Sequence, residues 1–304
     1  MRPPAPAIDP AAAAAPARPP AQRWRTARRI LHNPGAMIGA SFLVLLVLVA
    51  LLAPWLAPYN PDAQDLFHRL QPPSLQHLLG TDELGRDALS RLIYGTRISL
   101  VAAFGTVGIA AIIGCPLGLA AGYLGGRIDT ILGRLSDGLM AVPALLLALA
   151  MIAVLSPGLG TAVLALGIIF IPYFFRMARA AADSIRQETF IEASVTIGST
   201  QRRIILAHVV PNALAPLMVT AAVTAGTAVT AEASLSFLGV GVQPPTASWG
   251  SMLTAAMSNL HTSPWLVYPP GLMIALTVLA FSLLGDGIAT ALGTGRQAIT
   301  EAGQ

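Results

Sequence analysis

Six long apolar stretches alternate with polar connections rich in proline and arginine. They cover roughly 37–57, 98–124, 130–155, 159–178, 213–231 and 265–291. A bilayer core of ~30 Å needs ~20 apolar residues at helical rise. The pattern therefore predicts an all-α, polytopic membrane protein with six transmembrane helices. Spans two, three and five are rich in Gly, Ala and Thr rather than Leu, as in helices packed against helices. Gly114, Gly118, Gly122 and Gly126 recur every fourth residue along span two. This spacing predicts close helix packing, with a substrate contact as the other reading. Pro116, Pro143 and Pro172 predict kinks. Asp137 lies in span three, near Arg134, and Glu232 closes span five. Intramembrane acids are functional candidates, and for Asp137 an ion pair or interfacial position is the alternative.

Composition agrees with this reading. Of 304 residues 55% are hydrophobic and only 11% charged, and the mean hydropathy is +0.68. A soluble domain carries about 25% charged residues. All 18 basic residues are Arg. Without Lys the chain holds no conventional P-loop and no Schiff-base site, so an ATP-hydrolysing enzyme is excluded. One cysteine, Cys115, rules out an internal disulfide or a cysteine metal cluster. His32, His68, His77, His208 and His261 show no ligand spacing, so no metal is expected in this chain.

The arginines also orient the chain. With an even number of spans and a cytosolic N-terminus, fourteen arginines fall inside and four outside (Arg69, Arg86, Arg91 and Arg97). That is a strong positive-inside bias, and it makes nucleic-acid binding a poor explanation of the net charge. Trp55 and Trp265 are expected at the outer ends of their helices, as aromatic belts are. The Ala/Pro-rich start reads as a low-complexity tail rather than a signal peptide, because the apolar run after it is too long and has no A-x-A site.

Two connections are long. The outer one, roughly 58–97, contains Leu79-Gly80-Thr81-Asp82-Glu83-Leu84-Gly85-Arg86-Asp87. Glycines around mixed charges suggest a structured turn, with a solvated loop as the alternative. The inner one, roughly 179–212, reads as two short helices joined at Gly198, which suits a C′ cap. Ser199 or Thr200 can cap the second helix, whose apolar face would hold Ile204, Ile205, Leu206 and Val209. Arg202 and Arg203 stand at its start, and Pro211 is expected to bend the chain into span five. Such an elbow is either a docking surface or an interfacial helix lying on lipid.

Glu192-Ala193-Ser194, Gly198 and Val210-Pro211 resemble the EAA signature of ABC importer permeases. The Leu79–Asp87 cluster and the run from Glu232 to Gly250 resemble one subfamily, the C-type (second) permease subunits of dipeptide, oligopeptide and nickel importers. The likeness runs from about 28 to about 291. Ser194 departs from the third alanine, His208 replaces the usual Ile, and the segment after Leu284-Gly285-Asp286-Gly287 lacks the usual tail pattern.

The resemblance implies the ABC type I importer permease fold and a pore-forming transport subunit, not an enzyme. It implies a homologous second permease, two ABC ATPases that hold ATP and Mg, and an extracytoplasmic substrate-binding protein. Glu192, Ala193, Ser194, Gly198, Arg202, Arg203 and Pro211 would couple to an ATPase. Asp82, Glu83, Arg86 and Asp87 would be candidates for contact with the binding protein. The place would be the bacterial inner membrane, multi-pass among lipid, with both termini cytoplasmic. On this reading 1–27 is a disordered cytosolic tail, and 28–97 an N-terminal region with the first helix and an extracytoplasmic loop. Residues 98–291 form the core with the EAA loop at about 179–212, and 292–304 a second tail. The cargo would be peptides, with nickel chelates or glutathione as alternatives. An intramembrane aspartyl protease is disfavoured because Ser136-Asp137 and Leu284-Gly285-Asp286 match neither of its motifs. A rhomboid-like protease lacks its G-x-S-G turn, and a secondary transporter would show inverted repeats and paired buried acids.

Overall fold

The computed structural model describes residues 33–292. The tails expected at 1–27 and 292–304 lie outside the described residues, apart from Leu292, the last residue of the final helix. Every named element among the described residues is helical. In order they are α1 (Pro34–Leu56), α2 (Ala88–Leu124), α3 (Gly126–Ala141), α4 (Ala144–Leu155), α5 (Leu159–Arg186), α6 (Thr189–Thr196), α7 (Gln201–Ile204), α8 (Val210–Phe237), α9 (Trp249–Ser258) and α10 (Tyr268–Leu292). Single 3-10 turns sit at Leu66–His68 and Pro264–Val267, and a π-turn at Ile205–Val209 joins α7 to α8.

Five helices are long and apolar enough to cross a bilayer, and α3 and α4 reach that length and hydropathy only as a pair bent by 88° at the break between them. The third stretch is therefore not one helix over 130–155. Val142 precedes a proline and takes an extended backbone (φ −88°, ψ 130°), which ends α3. Pro143 then stands at the start of α4. Pro116 and Pro172 lie inside helices that continue past them. The second span starts ten residues earlier than expected. Asp87 caps α2, its Oδ2 accepting from Ser90 N at 2.8 Å, so 88–97 is helix and not loop. The 37 residues of α2 reach ~55 Å, well beyond a hydrocarbon core. The fourth span runs on to Arg186 and the fifth to Phe237.

The largest helix contact joins α2 to α5. A Cβ on Gly114 would stand 2.8 Å from Phe174 Cβ, one on Gly118 2.8 Å from Ala178 Cβ, and one on Gly122 3.0 Å from Ala182 Cβ. Three glycines of α2 thus lie directly on the backbone of α5, the packing that small residues permit. Gly126 departs from the expected row. It opens α3 at φ +61°, with nothing near its missing Cβ. One core cluster fills the space between α2, α4, α5 and α8 and takes in Ile191, Ile204 and Val209 from the elbow. A second gathers α1, α2, α8 and α10 around the fully buried Trp249. Trp55 is exposed at the end of α1, while Trp265 is half-buried with its indole beside Gly80 of the 58–87 loop.

Candidate functional site

The elbow begins where α5 ends at Arg186, not at 179. Ile191 turns into the core, which fixes α6 against the bundle and leaves Glu192 and Ala193 exposed. Glu192 lies in the first turn of α6, where a carboxylate faces the positive end of the helix dipole. Ser194 donates its hydroxyl to Phe190 O at 2.7 Å, so the departure from alanine is satisfied within its own helix. Gly198 closes the helix at φ +79°. Gly198 N donates to Val195 O at 2.9 Å and Ser199 N to Ser194 O at 3.1 Å, a Schellman cap.

Thr200 occupies the N-cap position of α7 but makes no side-chain cap bond there, and Arg202 and Arg203 are exposed. Ile204 and Val209 are buried, while Leu206 points outward and leaves the apolar face expected of it. Pro211 does not bend the chain. It sits at the second residue of α8, directly after the π-turn. The π-turn ahead of it, in which Val210 N donates to Ile205 O, lets 201–237 run as one span. The sequence reading missed two exposed apolar side chains at the tip of the elbow, Val195 and Ile197, the latter 81% exposed beside Gly198. Two β-branched apolar residues in an otherwise polar tip were the available signal.

Two ion pairs tie α3 to α5 behind the elbow. Arg176 Nη2 donates to Asp137 Oδ1 at 2.6 Å, and Arg179 Nη2 to Asp129 Oδ2 at 2.6 Å. Asp137 is thus held in an ion pair, as one reading of the sequence has it, with Arg176 of α5 as its partner across the helices. Glu232 is not at the end of its span. It is wholly buried five residues before the end of α8.

The Leu79–Asp87 cluster is a structured turn. Asp82 takes Arg86 Nε at 2.7 Å and lies 3.4 Å from Arg91 Nε. Arg91 Nη1 donates to Pro61 O at 3.1 Å and to Pro245 O at 3.4 Å. Asp87 holds His77 Nδ1 at 2.9 Å besides capping α2. Asp82, Arg86 and Asp87 are therefore largely buried, Asp82 and Arg86 paired with each other and Asp87 with His77 and Ser90. Glu83 alone keeps about a third of its side chain open, while accepting from Arg86 Nη2 at 3.3 Å. Charged residues in a loop read as solvated until the chain brings α2 and the 245 region against them.

This bundle of apolar helices carries a capped helical elbow and a folded loop. Residues 114–296 match the model of the binding-protein-dependent transport system inner membrane component. The chain belongs to that family. Residues 22–73 also match the N-terminal TM domain of oligopeptide transport permease C. The chain is 45% identical over 267 residues to a di/tripeptide transport system permease protein of Pseudomonas aeruginosa, covering 86% of this chain and 88% of that one. It is 41% identical over 270 residues to a dipeptide transport system permease protein of Alkalihalophilus pseudofirmus, covering 88% and 89%. A glutathione transport system permease protein of Escherichia coli is 44% identical over 270 residues, covering 88% of each. An inward-facing structure of the MetNI methionine ABC transporter gives a TM-score of 0.56 at 22% identity, over 67% of this chain and 96% of that one. That likeness establishes the type I importer permease fold. This permease is accordingly a multi-pass inner-membrane transport subunit of an ABC importer, and it works with a substrate-binding protein and with ATPases that are separate subunits.

Proposed function

We propose that this permease forms half of the membrane path of an ATP-driven importer of di- and oligopeptides. The observation that carries the reading is the 45% and 41% identity, along most of the chain, to permeases named for di/tripeptides and dipeptides. Glutathione, itself a tripeptide, is the second reading, favoured by the 44% identity to the glutathione permease. A homologous second permease completes the pore. Two ATPases hold ATP and Mg, and an extracytoplasmic binding protein delivers the peptide. Both termini and the elbow face the cytosol and the 58–87 loop faces outward, which the arginine distribution supports.

In this reading α6 is the coupling helix. Glu192, Ala193 and Ser194 seat against an ATPase, with Arg202, Arg203 and Pro211 on the returning arm and Val195 and Ile197 as the apolar anchors. Support comes from burial. Ile191, Ile204 and Val209 root the elbow in the same core as α5 and α8, so force on its tip reaches two spans through packed side chains. Gly114, Gly118 and Gly122 bring α2 directly onto the backbone of α5.

The test is reconstitution. The tagged permease is purified in detergent, its co-purifying subunits are identified by mass spectrometry, and the complex is placed in vesicles with its binding protein. ATP-dependent uptake of labelled dipeptide, exceeding that of glutathione, is the expected result. ATP hydrolysis by the isolated chain, or uptake of glutathione alone, would contradict it.

A further inference from the structure

The outer loop exposes an aromatic residue that its fold makes no use of. Phe67 is 96% exposed and its neighbour Leu66 is also open to solvent. They sit on a single 3-10 turn that is fixed at several points. Asp65 caps the turn, accepting from Phe67 N at 3.0 Å. Asp65 N donates to Leu84 O at 3.1 Å, Leu70 N to Asp82 O at 3.1 Å, and Arg69 Nε to Glu83 O at 2.6 Å. Gly85 allows this closeness, since a side chain there would run into the Asp65 carbonyl. The turn is therefore clamped onto the buried Asp82–Arg86–Arg91 network, and Phe67 is held out on a rigid base. Glu83 and Leu84, whose carbonyls hold the turn, also wall a largely apolar cavity of about 300 Å³ together with Arg86 and with Val242, Pro244 and Met252 of the α8–α9 region.

Lipid is the obvious rival occupant, and the loop separates the two possibilities. Its other end carries Leu75 and Leu78, flanking His77, whose ring lies 4.9 Å from that of Tyr59. Tyr59 Oη donates to Gln76 O at 3.0 Å, four residues after the exposed Trp55 at the end of α1. Apolar and aromatic residues beside a helix end are a membrane belt. Phe67 has a different rim: the Asp65–His68 pair at 2.6 Å, Arg69 and Glu83. His68 holds the Asp65 carboxyl below the ordinary aspartate range, so this rim stays charged. An aromatic anchor ringed by charges of both signs fits a protein socket and would be costly to sink among acyl chains.

We propose that Leu66 and Phe67, with the adjoining cavity, are the seat of the extracytoplasmic binding protein, whose surface would offer an apolar socket for Phe67 edged by charges of both signs. The proposal rests on the outward placement of the 58–87 loop. Phe67 enters the partner while an apolar projection of the partner enters the cavity, and the rigid base keeps the ordering cost of docking low.

The experiment uses the assembled transporter in lipid nanodiscs and its purified binding protein. Affinity is measured for wild type, Phe67→Ala, Phe67→Asp and, at the other end of the loop, Leu75→Ala. ATPase-subunit recovery serves as the assembly control. Phe67→Ala should bind roughly thirtyfold more weakly, as hot-spot truncations do, Phe67→Asp more weakly still, and Leu75→Ala as wild type. Binding within about twofold of wild type for both Phe67 variants would overturn the proposal. A second measurement places an environment-sensitive dye on Phe67→Cys in a Cys115→Ala background. A shift only when the binding protein is added supports the proposal. Quenching by lipid-borne quenchers in its absence would assign Phe67 to the membrane and overturn it. Labelling of Phe67→Cys by an impermeant reagent from the cytosolic side alone would instead remove the topology on which the proposal stands.

Discussion

Ser236 donates its hydroxyl to Glu232 Oε1 at 2.7 Å in a place closed to solvent. Ser99 of α2 reaches the other oxygen at 3.5 Å, and Ser236 Oγ in turn accepts from Val242 N at 3.0 Å. The carboxyl thus joins α2, α8 and the chain returning to α9 through hydroxyls, with no arginine at hand. Glu232→Gln keeps both oxygen-sized positions and should leave stability close to wild type. Glu232→Ala leaves buried hydroxyls without partners and should cost about 1–3 kcal/mol, read as a lower thermal midpoint of the complex.

The α2–α5 seam makes a sharper demand on volume. Gly118→Val would set a branched side chain against Ala178 and the Phe175 carbonyl. Overpacking of this kind costs about 1–3 kcal/mol. The expected result is loss of folded permease from the membrane, scored by fluorescence-detected size exclusion. Gly108→Ala, on the same helix with nothing within 4 Å of the missing Cβ, should be tolerated.

The α3–α5 ion pairs can be exchanged. Asp137 and Arg176 are both more than half exposed, so the pair should contribute less than about 1 kcal/mol. Asp137→Arg alone should lower the thermal midpoint of the complex by placing like charges together, and the swap Asp137→Arg with Arg176→Asp should recover most of the loss. A swap no better than the single variant would mean the pair does not hold α3.

Topology follows from the arginine bias. With Cys115 replaced, cysteines at Gln76 and Gln201 should be labelled by an impermeant reagent from opposite sides of the membrane. Labelling of both from one side would refute the orientation.

The sequence makes the spans legible because length and hydropathy alone set a bilayer crossing. It also shows Gly198, because positive φ after a short helix favours glycine. The break at Pro143 is harder to see. Residues 130–155 are apolar throughout enough of their length to read as one helix, and the extended backbone of Val142 outweighs that average. The start of α2 is hidden by Arg91 and Arg97, although Asp87 followed by Ser90 is a cap signal. The burial of Arg91 beside Asp82 involves the carbonyls of Pro61 and Pro245, which arrive from distant parts of the chain and which no local pattern encodes. For the same reason the exposure of Phe67 and Ile197 becomes visible only when the rest of each segment is packed.

The central claim is that the elbow transmits motion between ATPase and pore, and one paired measurement tests it most directly. Gly198→Val forces a β-branched residue into positive φ, Glu192→Arg reverses the charge on the exposed face of α6, and Ile197→Asp removes its most exposed apolar side chain. Uptake of labelled dipeptide and recovery of the ATPases by pull-down are measured together, at matched membrane expression. The account predicts that all three variants insert normally and lose uptake, through lost ATPase recovery or through intact recovery without transport. Wild-type uptake with normal ATPase recovery in all three would contradict it.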